Sequence, residues 1–233
     1  GVAYEDGDLG VVTNFKTART YFQEAAEGGD PDAQHRLGEA CEFGQLTLAI
    51  DLEAALKWYR QAAEGGDGTA QLRLGFAYEV GELTLAIDLE AARMCFQDAA
   101  EGGDGTAQLR LGLAYEAGQL TLAIDLEAAL ECYQEAAKGG NGNAQWRLGR
   151  AYEFGELTLV IDLGAARMWL QKAADGDFED ARFRVICSNG TPEEVWRLKH
   201  GFAQWRLEQE EEEEGEEGGG GWRIGVGLRN EKE

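Results

Sequence analysis

The six residues Ala-Glu-Gly-Gly-Asp-Gly stand at positions 63–68 and again at 100–105, and degenerate copies begin at Ala26 and Ala137. Each copy is 37 residues from the next. A fixed interval in the range of roughly 20 to 50 residues marks an array of stacked repeats rather than one irregular core. Such arrays work by presenting a surface, so the first question is what one repeat folds into.

In residues 68–104, Ala70, Leu74 and Tyr78 recur every four residues and Ala77 joins them, which is one face of a helix. Asp67 or Thr69 is placed to cap its start, and Gly81 to end it. After a connector over 82–87, Asp88 caps a second helix with Glu90 in its first turn. Leu89, Ala92, Phe96 and Ala99 form the apolar stripe of that helix, and Gly102-Gly103 stops it. The pairs Leu37-Gly38, Leu74-Gly75, Leu111-Gly112 and Leu148-Gly149 hold one column. A glycine inside a helix costs about 1 kcal/mol against alanine. Its return in every copy predicts that the two helices touch there, with Ala54-Ala55, Ala91-Ala92, Ala128-Ala129 and Ala165-Ala166 as the expected counterpart. A slower rhythm of two repeats is also present: Leu56, Arg93, Leu130 and Arg167 alternate, as do Gln45, Glu82, Gln119 and Glu156.

The run Ala70, Leu74-Gly75, Tyr78, Gly81, Asp88, Ala91, Phe96, Ala99-Ala100 and Gly103 resembles the Sel-one-like repeat, a branch of the tetratricopeptide-type solenoids. The resemblance covers residues 1–178: a partial repeat at 1–30, then 31–67, 68–104, 105–141 and 142–178. It implies an all-α fold, a right-handed α-solenoid of helix-turn-helix repeats with a 37-residue period. The chain departs from the family pattern in its connector. Gly-Glu-Leu-Thr-Leu-Ala-Ile-Asp is one residue longer and more apolar than the usual Gly-x-Gly-Val before the aspartate.

Beyond residue 178 the pattern decays. Residues 179–207 read as a degenerate repeat and a capping helix, with Thr191-Pro192-Glu193-Glu194 as a helix start. Residues 208–221 form an acidic, glycine-rich linker, with eight glutamates between 208 and 217. Residues 222–233 are a tail in which Trp222, Ile224, Val226 and Leu228 alternate with glycine and arginine, a pattern open to strand addition on a neighbour or to disorder.

The charge bounds the partners. With 21 basic and 44 acidic residues the chain carries −23, and the eight glutamates of the linker removed would still leave −15. Nucleic acid is a poor partner, because binding it requires Lys and Arg to neutralise phosphates. Anionic membrane leaflets are disfavoured for the same reason. No run of about 18 apolar residues is present to insert into a bilayer. Gly1 falls inside a repeat, so the native start, with any targeting segment, is expected upstream. Cys41, Cys95, Cys132 and Cys187 contain no Cys-x-x-Cys pair, and they read as small buried side chains in a reducing compartment.

No constellation for catalysis stands out. Ser188 is the only serine, and His35 and His200 lie at opposite ends of the chain. No metal-ligand or cofactor spacing is found, so no enzyme, metal or cofactor is expected. What remains is surface. His35, Leu72, Leu109 and Trp146 share one column on the first helices, and Glu39, Phe76, Leu113 and Arg150 share another one turn on. By the resemblance, first helices line the binding face, and exposed Phe76, Leu113 and Trp146 would make a mixed apolar and charged groove. The alternative for these columns is packing between adjacent repeats. The unvarying Arg36, Arg73, Arg110, Arg147 and Glu42, Glu79, Glu116, Glu153 predict an inter-repeat charge ladder. The resemblance implies a protein-interaction scaffold or adaptor that helps assemble a complex. A permanent structural subunit of a larger, organellar or membrane-protein assembly is the alternative. A partner with a basic segment is the better electrostatic match in either case.

Overall fold

The computed structural model describes residues 14–176, with Val2 and Ala181 as isolated positions. The chain divides into two units, Gly1–Arg182 and Phe183–Glu233. The second unit, and with it the expected capping helix, acidic linker and tail, lies outside the described residues.

The described residues form nine helices and no strand. They are α1 (Phe15–Glu27), α2 (Pro31–Phe43), α3 (Leu52–Glu64), α4 (Gly68–Val80), α5 (Leu89–Glu101), α6 (Gly105–Ala117), α7 (Leu126–Lys138), α8 (Gly142–Phe154) and α9 (Leu163–Asp175). The even-numbered helices are the first helices of the repeats; α1 and the other odd-numbered ones are the second. Each is 13 residues long. Helices this short are marginal alone, so their stability comes from packing and from their ends.

The repeated motif makes those ends. Asp67, not Thr69, caps α4: its carboxylate accepts the Ala70 N–H at 2.6 Å. At the end of α3, Gly66 takes φ +88°, its N–H donates to Ala63 O at 3.0 Å, and the Asp67 N–H donates to Ala62 O at 2.9 Å. This is a Schellman closure, and only glycine takes that φ without steric cost. Asp67 thus closes one helix with its backbone and opens the next with its side chain. Gln71 crosses the same turn, donating from Nε2 to Ala63 O at 3.2 Å.

The connectors are the unusual element. Leu46-Thr47, Leu83-Thr84, Leu120-Thr121 and Leu157-Thr158 all take positive φ, between 50° and 64°. The left-handed conformation costs a non-glycine residue roughly 1–2 kcal/mol, and a β-branched threonine is a poor fit for it. The turn drives its leucine inward: Leu46, Leu83, Leu120 and Leu157 are all buried.

Each Leu-Gly pair is a point of close approach. A Cβ on Gly38, Gly75 or Gly112 would lie 2.6–2.8 Å from the ring of Tyr59, Phe96 or Tyr133 in the second helix of the same repeat. At Gly149 the neighbour is Leu170, at 2.7 Å. The counterpart of the glycine is therefore a large side chain lying flat over it, and not the expected alanine pair. The core then continues across the repeat boundary. Tyr59 and Ala62 of α3 pack with Ala70, Leu74 and Ala77 of α4, and Tyr133 and Ala136 of α7 with Ala144, Leu148 and Ala151 of α8. A second helix buries its face only by sharing it with the next repeat, which is why such arrays are built from several copies.

Candidate functional site: the first-helix face and the repeat junctions

The expected charge ladder is present, and its rule is simple. Each arginine reaches back to the glutamate 31 residues earlier: Arg73 to Glu42, Arg110 to Glu79, and Arg147 to Glu116 at 2.9 Å. Arg36, at the start of the described array, lies 3.9 Å from Glu39. At two junctions a tyrosine joins in. Tyr59 donates its hydroxyl to Glu42 at 2.7 Å, and Tyr133 donates to Glu116. Phe96, at the equivalent position, has no hydroxyl to give. Burial, reinforced by the hydrogen bond to the neighbouring carboxylate, pushes both phenols above the usual tyrosine range. Burial lowers the Arg73 guanidinium, but its bonds to Glu42 and Glu82 outweigh that, and the net direction is upward.

The two candidate columns sit beside this ladder and are partly taken up in packing between repeats, the alternative that their sequence left open. Leu109 is buried, in the core that contains Tyr133. The other seven residues are half-buried. His35 lies against Tyr59, ring centroids 5.8 Å apart, with Nε2 at 4.0 Å from Glu39. Phe76 meets Phe96 edge to face at 5.2 Å, and the Arg110 guanidinium of the next repeat lies 5.3 Å above the Phe76 ring. Leu72 packs on the same core as Phe96, and Leu113 on that of Tyr133. Arg150 stacks over Trp146 at 5.2 Å and reaches Glu156 at 3.5 Å. These columns therefore share in repeat packing, and all but Leu109 remain partly exposed.

Asp32, His35 and Asp67 bring three ligand-type atoms within 4.8 Å of one another. Helix capping by Asp67 and the contact of His35 with Tyr59 account for this gathering. The thiols have an equally plain environment. Cys41, Cys95 and Cys132 are free, the first buried and the others half-buried. Burial raises the pKa of each, that of Cys95 to about 11. The raised pKa favours the neutral thiol over the nucleophilic thiolate at all three.

The Sel1 repeat model matches residues 1–30, 31–67, 68–104, 105–141 and 142–178. The chain belongs to the Sel1 repeat family. Among solved structures it is similar to a Sel1 repeat protein from Oxalobacter formigenes, at 28% identity and a TM-score of 0.76, over 87% of this chain and 84% of that one. It is similar also to a protective antigen of uropathogenic Escherichia coli with the same repeat fold, at 29% identity and a TM-score of 0.70. That match covers 86% of this chain and 44% of the antigen. An immunity protein from Pseudomonas aeruginosa shares the fold at 20% identity and a TM-score of 0.50. No curated protein sequence matches the chain. Sel1 repeat proteins are in general non-catalytic protein-interaction scaffolds. Among the described residues, no helix of this Sel1 array is long and apolar enough to cross a membrane.

The part of the Sel1 array that the sequence reading missed lies between repeats. One cleft of about 600 Å³ is lined by Glu42, Phe43, Leu52, Arg73 and the connector 81–84. A second, of about 490 Å³, is lined by Glu116, Leu126, Arg147, Arg150 and the connector 155–158. Their linings are equivalent positions two repeats apart. These connectors carry Glu82 and Glu156, where the alternate ones carry Gln45 and Gln119.

Proposed function

We propose that the array is a non-enzymatic scaffold that captures a basic segment of a partner protein on its first helices and so helps assemble a complex. The observation that carries this reading is the pairing of two features on those helices. The half-buried Phe76, Leu113 and Trp146 lie on α4, α6 and α8, and the same helices carry Glu79, Glu116 and Glu153, the first two of them paired with arginine, in a chain of net charge −23. His35, Glu39, Leu72, Leu109 and Arg150 complete the two columns. The acidic field speeds encounter with a basic segment, and the apolar edges hold it afterwards.

The two roles separate in kinetics. Raising the salt concentration should slow association, while Phe76→Ala with Leu113→Ala should mainly speed dissociation. Surface-plasmon measurements on a co-purifying partner give both rates, and circular dichroism shows whether the double variant keeps its helices. Salt-independent association, or an unchanged dissociation rate in the folded variant, would refute the proposal. Stoichiometric co-purification that resists exchange would instead identify a permanent subunit.

A further inference from the structure

One junction of the array departs from the others at three positions at once. The first helices α4, α6 and α8 begin Gly68-Thr69, Gly105-Thr106 and Gly142-Asn143, with Leu72, Leu109 and Trp146 one turn on. By contrast α2 begins Pro31-Asp32, and His35 takes the place of the leucine. A Cβ on Gly65 would lie 2.7 Å from Pro31 Cγ, so the first turn of α2 rests on the turn that carries Asp67. At Gly102, the equivalent glycine, no atom of α4 comes within 4 Å of the same point. Asp32 and His35, one helical turn apart on α2, thereby meet Asp67 at the start of α4. Two carboxylate oxygens and an imidazole nitrogen come within 4.8 Å of one another.

Each of the three has a donor to give. Asp67 caps α4 with one carboxylate oxygen and keeps the other. His35 meets Tyr59 as one ring beside another, not through a hydrogen bond. Among the described residues neither aspartate is in an ion pair. Glu39, 4.0 Å from His35 Nε2, is shared with Arg36 at 3.9 Å and stands outside the set. Cap and ring contact thus hold two donors in place beforehand, and the exposed Asp32 is the one that swings in. Bonds of about 2.0–2.2 Å to a metal put its donors about 3–3.5 Å apart, a closure of roughly 1–2 Å that side-chain rotation supplies. The donor set selects the ion. Mg²⁺ and Ca²⁺ take oxygen ligands and soft ions take thiolates, whereas two carboxylates with an imidazole suit Zn²⁺ and its first-row neighbours.

We propose that Asp32, His35 and Asp67 form a binding site for Zn²⁺ or a first-row divalent ion of the same preference. The ion clasps the starts of two successive first helices, α2 and α4, where the other junctions have only packing and the charge ladder. Three protein ligands leave a coordination position for water. The site was hidden in the sequence, because Asp67 follows His35 by 32 residues and the other two ligands make only a short Asp-x-x-His. It needs no partner protein, so its test stands apart from the reading of the array as a scaffold.

The probes are Zn²⁺ and Co²⁺ alone, added to the full chain under reducing conditions. Three variants remove one donor each and are chosen to keep the fold. Asp32→Thr and His35→Leu install the residues of the next two repeats, and Asp67→Asn installs the cap that Asn141 supplies to α8. Each should weaken Zn²⁺ binding, measured by calorimetry, roughly tenfold or more, with helix content unchanged by circular dichroism. His35 and His200 are the only imidazoles, so proton NMR with Co²⁺ identifies the ligand directly. One paramagnetically shifted imidazole is expected, lost in His35→Leu, kept in His200→Gln, and displaced by Zn²⁺ but not by Mg²⁺. Parent-like Zn²⁺ affinity in His35→Leu and Asp67→Asn would overturn the proposal. So would displacement by Mg²⁺, the mark of an ion held only by the acidity of the chain. A thiolate-to-cobalt absorption band would overturn it too, by placing the ion on the cysteines.

Discussion

Two glycines in the same class of helix have opposite roles, and one substitution at each separates them. Gly112 lies under Tyr133, and a Cβ there would come within 2.6 Å of Cε1. Gly68 opens α4 with nothing within 4 Å of the same point. Gly112→Ala should overpack the repeat and destabilise it by about 1–3 kcal/mol. Gly68→Ala should be neutral to stabilising by up to about 1 kcal/mol, because it restricts the unfolded chain and meets no neighbour. Urea midpoints of the two variants give the comparison, and equal shifts would show that the ring contact is unimportant. That glycine marked close approach was legible from its column. That the neighbour was a ring was not, because the facing residue is fixed by how the helices rotate against each other. A second residue-level expectation concerns Cys95. Its folded pKa, about 11, lies above the ordinary thiol value of 9.0, with burial the main cause. The neutral thiol is therefore favoured in the fold. That contribution is full below pH 9 and is lost as pH rises toward 11. Cys95→Ala should flatten part of the fall in melting temperature over this range, and an unchanged profile would show that the thiol does not titrate with folding.

At the level of helices and their junctions, the ladder is not uniform although its sequence is. The Glu42 side chain is 8% exposed, and it holds both Arg73 and the Tyr59 hydroxyl. Glu79 is 17% exposed and faces Phe96 in place of tyrosine. Glu42→Ala strands a buried hydroxyl and an arginine together, a loss of about 1–3 kcal/mol. Glu79→Ala strands only Arg110, which also lies over the rings of Phe76 and Phe96, and should cost less. Thermal melts of the two variants rank them, and a larger effect at Glu79 would show that the tyrosine hydroxyl adds nothing. The helix ends were readable in advance, since Asp67, Asp88 and the glycine pairs act through short-range backbone chemistry. The connectors were not. Leucine and threonine in the left-handed region run against their own preferences, and the burial of Leu83 and its equivalents holds them there. The candidate columns were found as columns, but whether they are exposed or packed between repeats was left open. A helical period tells which residues share a face, but not how far the next repeat overlaps it.

Across the whole array, stability is a sum over repeats and their junctions, because the described cores join one repeat only to the next. This makes excision a test of the architecture. Removing residues 68–104 brings Asp67 up to Gly105, which opens α6 with the same Gly-Thr-Ala-Gln-Leu-Arg that opens α4. In the shortened chain Arg110 takes the place of Arg73 and meets Glu42, and Leu111 and Ala114 replace Leu74 and Ala77 against Tyr59. The new junction thus repeats contacts that the parent already makes elsewhere. Helix content per residue should stay the same, and the urea m-value should fall in proportion to the surface removed. Removing residues 68–100 instead leaves four residues too many between α3 and α6, so Asp104 caps a helix that no longer meets its neighbour in register. That variant should lose cooperative unfolding, while the 37-residue excision keeps it. If both excisions behave alike, neighbouring repeats are not coupled through these contacts, and the cores that cross the repeat boundaries contribute little to holding the array together.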